Sequence, residues 1–394
     1  MWWIGVSHGQ IAAMSSEPLE GREEVDADGG LVTESFVNAH LHLDKVYTLD
    51  RVGEAALTAY TEGAMGGAAT AIAMAAAVKD SYDESWIEAN ARRAVLGGLG
   101  YGIRHVLAFA DVDSRAQLKA VKPLLRLRDE FRGVVDLQVV AFPQEGVLRD
   151  PGAEDLVREA VELGADVVGG IPWLEASDRD AREHVDRMCA LAAEYGKRVA
   201  MLVDDAGDPT LHTTAMLAEA MLEHGLTGRG VANHARAMGL YPAAAVLRLA
   251  ELAGRAGLGF VSDPHTGPLH FPVRQCIRLG LDVALGQDDI EDAYYPLGRH
   301  NLLEVGFLGA HLLGMLDEQG LEDVFDLITT SAARVLGVAR HELQVGGNAD
   351  LAVHEDATVR GVLSRHAPPR CVVASGRIVA VTEARTELRL PHHE

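Results

Sequence analysis

Asn38-Ala-His40-Leu-His42-Leu-Asp44-Lys45 places two histidines two residues apart, after an apolar start at Phe36. On a strand, residues i and i+2 share a face, so both imidazoles point the same way. Two imidazoles so placed can chelate one divalent ion. Much later, Leu285-Gly-Gln287-Asp288-Asp289 follows a second apolar run. Asp288 offers a carboxylate that can ligate the same ion and take a proton from water that the ion acidifies. Asp289 suits the N-cap of a helix. Asn233-His234-Ala-Arg236 adds a third imidazole, either as a ligand or as a group that polarises a developing oxyanion. Together these residues describe metal-assisted hydrolysis with His40, His42 and Asp288 as ligands and His234 as either a further ligand or the oxyanion-polarising group.

Such a set works only if distant segments converge, and the pattern between them supplies the means. Short Val/Ile/Leu-rich runs predict strands at Phe36–Leu43, Arg104–Val112, Asp136–Phe142, Asp166–Pro172, Arg198–Val203, Gly230–His234, Gly259–Ser262 and Asp282–Gly286. Amphipathic segments between them predict helices, most clearly at Glu154–Leu163, Arg179–Tyr195, Thr210–His224, Pro242–Ala256 and Val273–Leu279. Eight strand–helix units in a row predict an α/β fold, a closed (β/α)8 TIM barrel. Its last strand pairs with its first, which brings Asp288 beside His40 and His42. No G-x-G-x-x-G opens a helix after the first strand, so a dinucleotide fold has no support. Strand seven ends in Ser262-Asp263-Pro264-His265-Thr266-Gly267-Pro268-Leu269-His270. His265 and His270 either line the pocket or sit in an exposed turn. Arg299 and His300 are structural or substrate-adjacent.

The ends read differently. Residues 1–33 and 345–394 contain short strand-like pieces with turn signals, and predict one small β-sandwich beside a barrel spanning residues 34–344. The formal net charge is -23, which disfavours nucleic acid and anionic membranes as partners. Cys189, Cys276 and Cys371 are far apart, which argues against a disulfide framework and a cysteine-based zinc site. Met1-Trp2-Trp3 runs straight into a strand-like segment, and no apolar run reaches bilayer-spanning length. The expectation is a cytoplasmic homo-oligomer.

The segment Phe36–Lys45 resembles the first-strand motif of cytosine deaminase-like members of the amidohydrolase superfamily. Val139-Val-Ala-Phe-Pro-Gln-Glu-Gly146, Gly164–Pro172 and Gln287–Gly298 are similar to the same branch, so the likeness covers nearly the whole barrel. It implies one zinc or iron ion and a metal-activated hydroxide that attacks a ring carbon bearing an exocyclic amine. It also implies that Gln144 contacts the substrate ring. The chain departs from the pattern at strand five. The family usually has His-Cys-Asp-Glu there, with His a ligand and Glu a proton shuttle; this chain has Leu202-Val203-Asp204-Asp205. Asp205 aligns with the shuttle but is shorter by roughly 1.5 Å. Either it keeps that role, or Asp204 or Asp205 replaces the lost ligand. Trp173 stands where the family often has His. No strand-four lysine is available to bridge two metals, which favours one ion. The expected enzyme hydrolyses a C–N bond other than a peptide bond. Asp288, Asp205 and His234 are its catalytic groups, and Gln144, Trp173, His265 and Asp204 are its substrate contacts. Deamination of a small N-heterocycle is the leading expectation. Hydrolysis of a cyclic amide or an N-alkylamino-triazine, and a non-catalytic small-molecule binder, are the alternatives.

Overall fold

The computed structural model describes residues 2–52, 58 and 76–388. Met1 and residues 389–394 of the expected terminal unit lie outside the described residues, as do 53–57 and 59–75 of the expected barrel. Strands β1 (Trp3–Ser7), β2 (Gln10–Ser15) and β3 (Val32–Glu34) precede the barrel strands. These are β4 (Phe36–Leu41), β5 (Ile103–Asp111), β6 (Asp136–Phe142), β7 (Val167–Gly170), β8 (Arg198–Val203), β9 (Gly230–His234), β10 (Leu258–Ser262) and β11 (Val283–Leu285). Strands β12 (Leu351–Val353), β13 (Cys371–Ala374) and β14 (Arg377–Val381) follow.

The eight barrel strands pair in chain order, all parallel, as a (β/α)8 barrel requires. Both faces of a barrel strand are covered, which is why β4 and β5 are buried along their whole length, polar residues such as Asn38, His40 and Arg104 included. Closure comes through Asp288, just beyond β11. Its N–H donates to His40 O (2.9 Å), and its C=O accepts from His42 N–H (2.9 Å). The Asn38 side chain fastens the same seam, its Oδ1 accepting from Gln287 N–H (3.0 Å).

Side chains fill the barrel rather than leave a pore. Val37, Ala39, Leu107, Phe109, Val140, Phe142, Leu202, Val231, Val261 and Ala284 form one interior cluster. Helix Thr330–Leu336 adds Ala332, Ala333, Val335 and Leu336 to that cluster, and so stoppers the end of the barrel opposite the strand C-termini. The helices have the local chemistry to start where they do. Asp83, Ser177, Asn301, Asp317 and Thr358 each cap a helix by accepting a backbone N–H.

The termini form a small antiparallel unit. Strand β3 pairs with β12 in the sheet β14-β13-β12-β3, and the ribbon β1-β2 lies against it. Ile11, Ala349 and Leu351 form their shared apolar cluster. The unit is tied to the barrel by the buried pair Arg104 Nη2–Asp350 Oδ1 (2.8 Å). The later segment is not all β: helix Val359–Arg365 packs on helices Leu302–Leu312 and Glu318–Asp326. Among the described residues, no helix is long and apolar enough to cross a membrane.

Candidate active site at the strand C-termini

His40 ends β4, His234 ends β9, and Asp288 follows β11, all three buried. One ligand atom from each lies within 4.8 Å of the other two. His40 Nε2 is 3.1 Å and His42 Nε2 3.9 Å from Asp288 Oδ1. The His40 ring stands edge-on to both His42 (5.1 Å) and His234 (4.9 Å). His234 and Asp288 hold left-handed backbone conformations, with φ of 67° and 63°. Such geometry is costly for residues with a Cβ and gathers at functional sites.

Two of the three imidazoles, His40 and His234, are oriented from behind. Asn233 donates its amide N–H to Met201 O (3.2 Å), so its Oδ1 faces His40 Nδ1 at 2.9 Å. A carbonyl only accepts, so His40 carries its proton on Nδ1 and presents a lone pair at Nε2. That Nε2 is buried and has no hydrogen-bond partner, and neither has His42 Nδ1. Burial, helped by the Lys45 ammonium and His40, holds the His42 pKa well below its ordinary value, so this imidazole is neutral, as a ligand must be. His234 Nδ1 donates to Asp263 Oδ1 (2.7 Å). Burial opposes charge on His234, but the carboxylates of Asp263, Asp205 and Asp288 outweigh it and push its pKa up to about 9; a ligand role for this imidazole requires an ion to displace that proton, as metal binding does. Two imidazoles and a carboxylate, His40, His234 and Asp288, with His40 Nε2 left orphaned and His42 Nε2 3.9 Å from Asp288, make a donor set that fits a divalent metal ion.

Around this point the carboxylates are held by one buried cation. Arg236 Nη1 donates to Asp205 Oδ1 (2.8 Å), and its Nη2 donates to Asp263 Oδ2 and to Thr266 Oγ1 (2.6 Å). The Thr266 hydroxyl also lies 3.1 Å from Asp288 Oδ2. Burial raises the Asp205 pKa, against the pull of Arg236.

Asp205 therefore lies in the same charge cluster as His234 and Asp288. Asp204 does not join it. Its Oδ1 accepts from Thr213 N–H and Oγ1 (both 2.6 Å), and its Oδ2 from Thr214 N–H and the Tyr241 hydroxyl (both 3.1 Å). The expected substrate contact at Asp204 is corrected accordingly: this side chain starts helix Thr213–Glu223. Strand alternation would have put it on the inner face with Leu202, but its backbone turns left-handed (φ 47°) and swings it outward. Leu202 stays inside, in the apolar interior cluster.

Asp289, read above as a helix cap, caps nothing. It is buried, and burial together with Asp288 and Asp292 lifts its pKa well above the usual carboxylate range. Gln144 follows β6, and its Oε1 accepts from Lys45 Nζ (2.9 Å). Trp173 packs on the barrel interior, with its indole N–H buried and unpartnered. His265 is half-buried and donates Nε2–H to Gln287 O (2.9 Å), while its ring meets Tyr295 at 5.0 Å. His270 is half-buried with its Nδ1 unpartnered, and burial and the Arg236 guanidinium lower its pKa against the pull of Asp263. His300 is structural. Its Nδ1–H donates to Ala94 O (2.8 Å), and its Nε2 accepts from Asn38 (3.0 Å).

Sequence reasoning missed the supporting residues: Asp263, Arg236, Thr266 and Asn233 behind the histidines, and the buried ion pairs of Lys45, Asp111 and Lys79. Asp263 was findable, because it directly follows β10, the neighbour of the strand that carries His234. Lys79 carried no usable signal, since nothing local foretells that its ammonium meets Asp111 (3.0 Å) and Asp113 (2.5 Å).

A profile of the amidohydrolase family matches residues 81–380. The N-isopropylammelide isopropyl amidohydrolase of Pseudomonas sp. (strain ADP) is 28% identical over 385 residues, spanning 96% of this chain and 94% of that protein. The pterin deaminase of Rhizobium rhizogenes is 25% identical over 382 residues, spanning 90% and 82%. The crystal structure of 5-methylcytosine deaminase from Klebsiella pneumoniae, liganded with phosphonocytosine, superposes with a TM-score of 0.89 at 28% identity, covering 99% of this chain and 97% of that one.

Proposed function

We propose, for a chain that belongs to the amidohydrolase family, hydrolytic deamination of a small N-heterocycle at a single zinc or iron ion held by His40, His42, His234 and Asp288. The observation that carries this reading is the convergence of His40, His234 and Asp288 within 4.8 Å, buried at the strand C-termini where barrel enzymes keep their chemistry. The orphaned His40 Nε2, with its proton fixed on the opposite nitrogen, supports a ligand role. His234 is proposed as the ligand that makes up for Leu202, since Asp263 turns its Nδ1–H away and leaves Nε2 for the ion.

When bound, the ion lowers the pKa of water toward neutrality and so supplies the nucleophile. Asp288, whose Oδ1 lies 3.1 Å from His40 Nε2, would be the base that accepts the proton of the attacking water. Asp205, whose Oδ1 is anchored by Arg236, carries a proton to the leaving nitrogen, and its raised pKa suits it to hold one. Arg236 and Thr266 keep Asp205, Asp263 and Asp288 from repelling one another. Gln144 reads the ring edge. Trp173, Phe109 and Phe142 supply apolar walls that exclude bulk water.

A second reading changes only the leaving group, from ammonia to an alkylamine on a triazine ring. The full-length likeness to the N-isopropylammelide enzyme favours it. Metal-reconstituted protein incubated with amino- and alkylamino-pyrimidines, pterins and triazines, with ammonia and amine release measured, tests both. Release of neither from any ring, or activity that survives complete chelation, would sink the proposal.

A further inference from the structure

Beyond the metal cluster, the described residues contain a second buried charged network, at the C-terminal ends of β4, β5 and β6. Lys45 and Lys79 are 4% and 1% exposed. Both ammonium groups grip Asp111: Lys45 Nζ at Oδ1 (2.9 Å) and Lys79 Nζ at Oδ2 (3.0 Å). Lys79 is held in turn by Asp113 (2.5 Å) and Glu145 (2.8 Å). Asp111 N–H donates to Asp44 Oδ2, which also accepts the Tyr82 hydroxyl. Lys45 therefore cannot turn away without abandoning a buried carboxylate. Its remaining contact is Gln144 Oε1, at 2.9 Å.

An ammonium only donates, so the Gln144 oxygen, not its nitrogen, must face Lys45. The amide nitrogen is left with no hydrogen-bond partner among the described residues. Without Lys45, an amide can present either end. With Lys45 it presents N–H alone.

We propose that Lys45 is a positioning residue that locks the Gln144 amide with its N–H group toward the substrate. The ring edge met by Gln144 must then be a hydrogen-bond acceptor, which we take to be an exocyclic oxo group rather than an amine or a ring N–H. The inference rests on the heterocycle hydrolase reading above and narrows its substrate class to oxo-substituted rings. A ring that brings a donor to this point leaves two donors facing each other, which a buried polar site rejects strongly.

The test compares matched rings that share the amine to be lost and differ in the neighbouring exocyclic group, with the ring N–H that accompanies the oxo form. Cytosine and 2,4-diaminopyrimidine are one such pair, and the corresponding oxo and amino 1,3,5-triazines a second. In the wild-type holoenzyme, kcat/KM favours the oxo ring. Lys45→Met frees the amide, and the preference should fall roughly ten- to hundredfold, mostly through KM, with metal content unchanged. Lys45→Arg keeps a cationic donor and should restore the preference. Gln144→Glu covers the case in which Lys45→Met does not fold. It keeps an acceptor for Lys45 but removes the N–H, so the oxo ring should lose its advantage. An oxo preference that survives both Lys45→Met and Gln144→Glu in active protein overturns this inference alone. A wild-type enzyme that releases amine only from the amino-substituted rings also overturns it. A wild-type holoenzyme that acts on none of the rings removes the functional reading on which it stands.

Discussion

Asn233 Oδ1 lies 2.9 Å from His40 Nδ1, and this one hydrogen bond decides which nitrogen of His40 faces the site. The two residues are on β9 and β4, strands that are not neighbours in the sheet, so the bond spans the barrel interior. Asn233→Ala frees the His40 tautomer and ring angle. Metal affinity should fall roughly 10- to 100-fold, the usual cost of losing such a partner. A competition titration with a chromophoric chelator measures it. Unchanged affinity in Asn233→Ala would mean that His40 is oriented by packing alone.

Asp204 and Asp205 are adjacent but should fail differently. Asp205→Asn should lower kcat by roughly 10²–10⁴-fold with the metal retained, because a proton carrier is lost. Asp204→Asn should retain the metal and much of kcat but lower stability by about 1–2 kcal/mol, because it weakens the cap on helix Thr213–Glu223. Chemical denaturation and elemental analysis on both variants separate the roles. Metal loss in Asp205→Asn would reassign it as a ligand.

Leu202 sits on β8 in register with Asn233, inside the barrel. Leu202→His offers a further imidazole to an ion that His40, His42, His234 and Asp288 are proposed to hold. Metal dissociation into excess chelator should slow by about tenfold or more, as an added ligand predicts. Some stability should be lost with the apolar packing, by about 1–3 kcal/mol. An unchanged release rate in folded protein would show that an imidazole at this position does not reach the ion.

His300 gives a pH dependence with a defined sign. Burial lowers its pKa to about 4, and its two ring nitrogens are used by Ala94 O and Asn38. A histidine held neutral in the folded state costs nothing above the unfolded pKa of about 6.5. Its stability contribution is lost as pH falls from there through the folded value near 4. The loss amounts to at most about 3 kcal/mol. His300→Gln should flatten the wild-type fall in stability across that window, seen as denaturation midpoints from pH 7 to pH 4. Parallel curves for the two proteins would assign the acid sensitivity to His341 or His354, whose pKa values burial also lowers to about 4.

Much of this architecture is legible in the chain itself because it is local. Apolar runs such as Asp136–Phe142 and Arg198–Val203 mark strands buried on both faces, and their boundaries agree with β6 and β8 to the residue. The i, i+2 spacing of His40 and His42 also announces a shared face without any fold. Strand order then brings Asp288 beside them, since a sheet of eight parallel units closes last on first.

Side-chain fate at the strand ends is another matter, because alternation stops where the backbone leaves the ladder. Asp204 turns out to a helix and Asp205 remains in the charge cluster, and a left-handed φ at Asp204 makes the difference. Whether Asp289 caps a helix or lies buried beside Asp292 depended on the course of a loop, not on the residue. The partners that give His40, His234 and Gln144 their working orientation come from elsewhere in the chain: Asn233, Asp263 and Lys45. Residue type and spacing determined which groups this protein has for metal and proton chemistry. Only tertiary packing decided which atoms of those groups are left to face a ligand, because a hydrogen bond's direction is set by its partner, and each partner arrives on a different strand.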